Sequence, residues 1–241
     1  ADDRSVIHAA SSGGQVADAV IGECREALAD AAAADLQPAE VGGGVEVLIG
    51  RTWAGAGDVE WRLRGQQDRG NHSELAGLVR NQTHREELPV VWLVPKQASG
   101  RAVVWVDEAG KSALFGADGS LVPAVRRLVD AGVAVVGADL LFQGESLASR
   151  QPVKQNRVVD NPREFAGYTY GYNHALFAQR THDVLTLVKF LRTTKSPAGA
   201  VASSVSVAGF GRSGPLVAAA RGLAGAAIDR AAVDTGGFRF S

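Results

Sequence analysis

The residues best placed to do chemistry lie in one stretch, "VSVAGFGRSGPLVAAARG", residues 205–222. Two alternating valines, Val205 and Val207, lead into a glycine corner, and an alanine-rich run of helical character follows. A strand–turn–helix corner of the form G-x-S-x-G carries a nucleophilic hydroxyl at its tip, with backbone N–H groups beside it to hold an oxyanion. Gly209 takes the first glycine position, Phe210 the variable one, and Gly211 the nucleophile position. Glycine brings no hydroxyl. Ser213, two positions on, reads either as a displaced nucleophile or as a first-turn residue of the helix, with Pro215 close behind. The proline and the glycine-type position that Ser213 fills favour the helix reading.

The same corner presents N–H groups at a helix start beside Arg212, a combination suited to a carboxylate or a phosphate. Gly209, Gly211 and Gly214 also satisfy G-x-G-x-x-G, and Asp234 lies 23 positions past Gly211. A dinucleotide loop belongs in the first strand–helix unit of a chain, however, and this turn comes after several strands. No cofactor is therefore expected.

The elements that must position this corner can be read from periodicity. Segments within 45–95 alternate as strands ("VEVLIGRTW", "VEWRLRG", "ELAGLVRN", "ELPVVWLVPK"), the last two as a hairpin across "QTHRE". From residue 101 the rhythm changes. "RAVVWV", "VAVVGADLLF", "SVSVAGFG" and "IDRAAVDTGG" read as strands buried on both faces. Between them lie helical runs at "SLVPAVRRLVDAG", "NHALFAQRTHDVLTLVKFLRTT" and "SGPLVAAARGLAG". Buried strands alternating with helices predict an α/β fold, a three-layer α/β/α sandwich around a mostly parallel sheet. Its chemistry belongs at the carboxyl ends of the strands, near Asp107–Gly110, Asp139–Gly144, Gly209–Gly214 and Asp234. Residues 1–45 read as a helical appendage and 46–241 as the main domain.

Composition narrows the partners. The 241 residues are 46% hydrophobic and 21% charged, with 25 basic and 26 acidic side chains. That balance gives no broad attraction to nucleic acid or to a membrane surface. Cys24, the one cysteine, has no internal disulfide partner and reads as a packed or surface thiol of the first helical run. The Ala-Asp-Asp start is that of a mature chain after leader removal, so export to the periplasm or the exterior is expected.

Other candidates have plainer readings. Asp107 and Glu108 follow the strand "RAVVWV", where an oxyanion loop could lie; acidic side chains repel an oxyanion, which leaves the N–H groups of Ala109 and Gly110. His174 and His182 are eight apart on a predicted helix without a recognised metal spacing, so they are expected to be surface or internally satisfied, and no metal site is expected. His72 and His84 fall in polar loops, and His8 precedes the domain. Arg180 and Asp183 are spaced for a surface pair. Trp53, Trp61, Trp92 and Trp105 fall in predicted strands as core residues.

From about residue 74 onward the chain resembles the α/β-hydrolase superfamily, and more narrowly bacterial acetyl xylan esterase-like and glucuronoyl esterase-like proteins. "LPVVWLVPK", "AVVWVDEAGK", "YGYNHALFAQRTHDVLTLVKFL" and "VAGFGRSGPLVAAARGLAG…DRAAVDTGGFRF" carry the resemblance. It implies an elbow of the form Gly-x-Ser-Arg-x-Gly, with Gly209, Arg212 and Gly214 matching and Gly211 in place of the serine. It further implies an oxyanion or carboxylate contact at Arg212, the acid at Asp234, a small-molecule or polysaccharide ester as substrate, and a bracing role for Arg180. In this fold the order is nucleophile, acid, histidine, yet all five histidines precede the elbow. The resemblance thus implies that the last part of the fold is missing from this stretch. Two functions follow: a carboxylic-ester hydrolase whose serine mechanism is compromised, or a pseudoenzyme that keeps the pocket and binds carbohydrate or a protein partner.

Overall fold

The structure, a computed structural model, describes residues 46–47, 49–147 and 174–234. The predicted appendage with His8 and Cys24, most of the polar loop after Phe142, and residues 235–241 lie outside the described residues.

Seven described strands form one sheet: β1 (Val59–Asp68), β2 (His72–Asn81), β3 (Glu86–Pro95), β4 (Arg101–Val106), β5 (Ala134–Ala138), β6 (Ser204–Gly209) and β7 (Arg230–Val233). Their spatial order is β1-β2-β3-β5-β4-β6-β7. The strands β5-β4-β6-β7 run parallel, in the register Val135–Val103 and Val104–Val207. β1, β2 and β3 extend them as an antiparallel flank, Trp92 pairing Val136. The predicted hairpin is β2–β3, closed across residues 82–85.

Among the described residues three helices cover the sheet: α1 (Pro123–Asp130), α2 (Leu176–Thr193) and α3 (Gly214–Ala224). α1 begins on Pro123, where the missing N–H costs nothing, and Gly132 follows it at φ +74. Val125 and Val129, four apart, pack with Val91, Leu93, Leu114 and Val135 on one face. α2 and α3 bury Val184, Leu187, Val188, Val217 and Ala220 against Val104, Val136 and Val207 on the other. The layers are thus the predicted sandwich.

Two elements depart from expectation. The described residues of 46–53 form no strand: Glu46, Val47 and Ile49 are helical, and a 3₁₀ turn over Ala54–Ala56 follows, with Trp53 at its start. Gly50 at φ +66 and Gly57 at φ +85 impose a left-handed backbone that no strand continues through. In α2, residues 181–188 are all buried, polar ones included, while Leu176 and Phe177 at its start are each 40% exposed. A helix covered all round has no polar face to leave in water.

Aromatic packing pins the flank to α2. Trp61 meets Trp92 edge-on at 6.0 Å, and Phe190 lies 5.4 and 4.9 Å from the two rings. Asn81 is buried, donating to the Ala56 carbonyl at 2.6 Å and the Thr186 hydroxyl at 3.1 Å while accepting from the His84 N–H. It is therefore committed inside the fold although it heads an Asn-Gln-Thr sequon.

Candidate functional site

The glycine corner forms a sharp elbow. β6 ends at Gly209, the chain crosses Phe210 in extended conformation, and a 3₁₀ turn over Gly211–Ser213 runs straight into α3. Gly211 adopts φ +56, a strained tip that L side chains rarely occupy. A side chain built there would meet, among the described residues, only Glu108 Oε1 within 4 Å, at 3.2 Å. Gly209 has no such room, because a Cβ would fall 2.6 Å from Val217 Cγ2; it lets strand and helix close together. Ser213 is 2% exposed, with its N–H bonded to the Phe210 carbonyl, inside the turn and not at its tip. Phe210 stacks on Trp105 at 4.3 Å.

Glu108 lies opposite the tip. The backbone N–H of Arg212 donates to Glu108 Oε1 at 2.9 Å, across 104 positions of sequence. In a G-x-S-x-G elbow the N–H one residue past the tip is an oxyanion donor; the N–H at that position here is taken by a carboxylate oxygen. The guanidinium of Arg212 is 92% exposed, with Nε 4.0 Å from the same oxygen. The N–H of Ala109 donates to Asp107 Oδ1 at 2.9 Å and that of Gly110 to the Asp107 carbonyl at 3.1 Å, so both are used inside their own turn. Asp234 follows β7 one strand beyond the elbow, its N–H bonded to the Gly209 carbonyl at 2.8 Å. The structure thus brings Gly211, Arg212, Ala109, Gly110 and Asp234 to the carboxyl edge of the sheet and puts Ser213 behind it.

A second residue at this edge organises the loops. Asp139, 2% exposed at the end of β5, accepts from the N–H groups of Lys111 (3.0 Å) and Glu145 (2.9 Å) and pairs with the Lys111 ammonium. Lys111 also reaches Glu145 Oε1 at 3.0 Å. Gln143 donates to the carbonyls of Asp107 (3.2 Å) and Glu108 (3.4 Å), tying the loop after β5 to the Glu108 loop. From α2, Arg180 donates to the carbonyls of Leu141 (2.8 Å) and Phe142 (3.2 Å), and Asp183 accepts the Leu141 N–H at 2.8 Å. The Arg180–Asp183 spacing therefore serves a clamp on the loop, with Phe142 held at φ +60. Burial lowers the Arg180 pKa, partly offset by Asp183 and Glu108. Burial, helped by the Glu86 charge, pushes the Asp183 carboxyl up to about 7 against the Leu141 N–H, Arg180 and Arg51.

His174 is exposed as expected and His84 lies in the polar turn 82–85, but His72, expected in a polar loop, is buried at the start of β2, and His182 is buried without a hydrogen bond among the described residues. His84 is half-buried, held by Arg51 Nη1 at 2.6 Å and the Gly55 carbonyl at 2.8 Å. His182 is fully buried, edge-on to His84 at 4.6 Å, and its Nδ1 lies 2.9 Å from Glu86 Oε2. Neither ring nitrogen of His182 makes a hydrogen bond among the described residues. Glu86, His182 and Asp183 form a group of possible metal ligands, which the lack of a sequence spacing concealed. Burial raises the Glu86 carboxyl, but His182 and Arg51 outweigh it and leave it below the ordinary range. Among the described residues, no histidine lies within 4 Å of where a Cβ on Gly211 would sit. No described helix is long and apolar enough to cross a membrane.

A sheet in this order, with helices on both faces and a strand–elbow–helix at β6 within its parallel part, is the α/β-hydrolase fold. The chain is similar to several solved structures. A Bacteroides fragilis protein described as a candidate acetyl xylan esterase superposes with a TM-score of 0.54 at 10% identity, over 80% of this chain and 53% of its own. Acetyl xylan esterase 1 from a Thermoanaerobacterium species gives 0.48 at 12% identity, over 75% and 53%. A glucuronoyl esterase from Solibacter usitatus gives 0.41 at 9%, over 68% and 48%. The chain spans about half the length of these three. No family model and no curated protein sequence matches it.

Proposed function

We propose that the chain is an esterase-like α/β-hydrolase of the carbohydrate-esterase kind that binds its ligand without serine catalysis, the ligand being an acylated or uronoylated sugar. One observation carries this reading: the elbow tip is Gly211, and the Arg212 N–H beside it already holds the Glu108 carboxylate. Acyl transfer needs a hydroxyl at that tip and a free donor for the developing oxyanion. Loss of the triad nucleophile alone costs on the order of 10⁶ in rate. A carboxylate in the donor's place adds repulsion where negative charge would form. The burial of Ser213 speaks against a displaced nucleophile. The sugar class rests on the names of the structural neighbours.

A fluorophosphonate probe with intact-mass readout tests it, together with release of acetate from acetylated xylan and hydrolysis of a glucuronate methyl ester. The expected result is an unmodified 25.1 kDa chain, no hydrolysis above buffer, and measurable binding of acetylated or uronoylated oligosaccharide by calorimetry. An adduct mapped to Ser213, or turnover abolished by Ser213→Ala, would restore the hydrolase reading.

A further inference from the structure

We propose that Glu86, His182 and Asp183 form a binding site for one divalent transition-metal ion, separate from the elbow. The three residues each offer a ligand atom, all within 4.8 Å of one another. The His182 side chain is 1% exposed, and both ring nitrogens lack a hydrogen bond among the described residues. A buried imidazole whose ring nitrogens make no hydrogen bond is costly, and few side chains are kept in that condition. Its Nδ1 faces Glu86 Oε2 at 2.9 Å. The two atoms face each other without hydrogen-bond geometry. A metal ion bound by both would satisfy them together and draw in Asp183, which is 4% exposed and offers a ligand atom within 4.8 Å.

The donor set narrows the ion. One imidazole nitrogen and two carboxylate oxygens suit Zn²⁺, Co²⁺, Mn²⁺ or Fe²⁺; Ca²⁺ and Mg²⁺ prefer oxygen alone. Arg51, with Nη2 3.6 Å from Glu86 Oε1, offsets part of the negative charge and argues against very tight binding. Arg180 and the His84 ring also face the cluster, and Arg85, Glu87 and Glu145 line, with Glu86 and Asp183, a cleft of about 530 Å³. Three protein ligands leave a coordination position for water. β3 runs antiparallel to β5, which puts Glu86 at the same edge of the sheet as the elbow.

The test is titration of the chelator-dialysed 241-residue chain with Co²⁺, read by equilibrium dialysis and by visible ligand-field absorption. The expected result is one ion per chain, visible bands from mixed nitrogen and oxygen ligation, and displacement by Zn²⁺. Glu86→Gln removes a partly exposed ligand without emptying the core and is expected to weaken binding at least tenfold; His182→Gln is expected to abolish the bands. No stoichiometric uptake at millimolar Co²⁺ and Zn²⁺ would overturn the site. So would uptake of unchanged affinity in Glu86→Gln and Asp183→Asn, which would mark an adventitious surface ion.

Discussion

Asp139→Asn should be among the most damaging conservative changes in the chain. The carboxylate accepts two backbone N–H groups, from Lys111 and Glu145, and pairs with the Lys111 ammonium, all at a site 2% exposed. An amide keeps one acceptor oxygen and turns a donor toward a group that also donates. Removing one partner of a buried pair costs about 3–5 kcal/mol. Lys111 is 17% exposed and keeps Glu145 at 3.0 Å, so the lower end applies, about 3 kcal/mol. For a domain of this size that is a fall of roughly 6–12 °C in Tm. Urea unfolding followed by tryptophan fluorescence gives the value, with the slope m required to stay constant. Adding Lys111→Met to Asp139→Asn should cost less than the two single losses summed, with a coupling of at least ~1 kcal/mol. A loss under ~1 kcal/mol with unchanged m, or simple additivity, would refute the view that Asp139 fastens the two loops.

Asp183→Asn should show a pH-dependent advantage in chelator-treated protein. The folded carboxyl titrates near 7, above its unfolded value, so its contribution is complete below about pH 4 and is lost as pH rises through 7. Urea midpoints from pH 4 to 8 should move in favour of the variant by on the order of 4 kcal/mol; parallel profiles would contradict the raised pKa. Gly77→Ala should destabilise by about 1–3 kcal/mol, because a Cβ there would fall on the Arg62 carbonyl and 2.7 Å from the Trp61 ring. A neutral outcome in denaturant titration would mean that β1 and β2 can part at no cost. Phe190→Ala should cost about 3–5 kcal/mol by emptying the space between Trp61 and Trp92; a loss below 1 kcal/mol would mean the cluster collapses onto the gap.

What the sequence disclosed was mostly local. The β2–β3 hairpin was legible because apolar alternation stops at a polar "QTHRE" and resumes. The elbow was legible because its glycines answer to backbone geometry, Gly209 to close packing and Gly211 to a positive φ. The relations that define the site were not. Glu108 meets the Arg212 amide across 104 positions, and Asp139 meets Lys111 across 28, and no short spacing encodes either. His182 was misplaced because amphipathic reasoning assumes one wet face, whereas residues 181–188 have none. The strand expected near Trp53 failed at Gly50 and Gly57, where backbone freedom outweighed a valine and isoleucine alternation.

The positive φ at Gly211 has a consequence for how such a corner is retained. A serine held at that tip is strained by about 1 kcal/mol or more, a cost a hydrolase accepts for reactivity. Glycine holds the same turn without that strain. On the function proposed above, the chain sits on the durable side of the exchange between activity and stability. Selection for a sturdier fold would preserve this corner as firmly as selection for chemistry once the hydroxyl is dispensable. An intact elbow is thus a record of how strand and helix join, and the side chain at its tip alone reports whether the join is still used for cleavage.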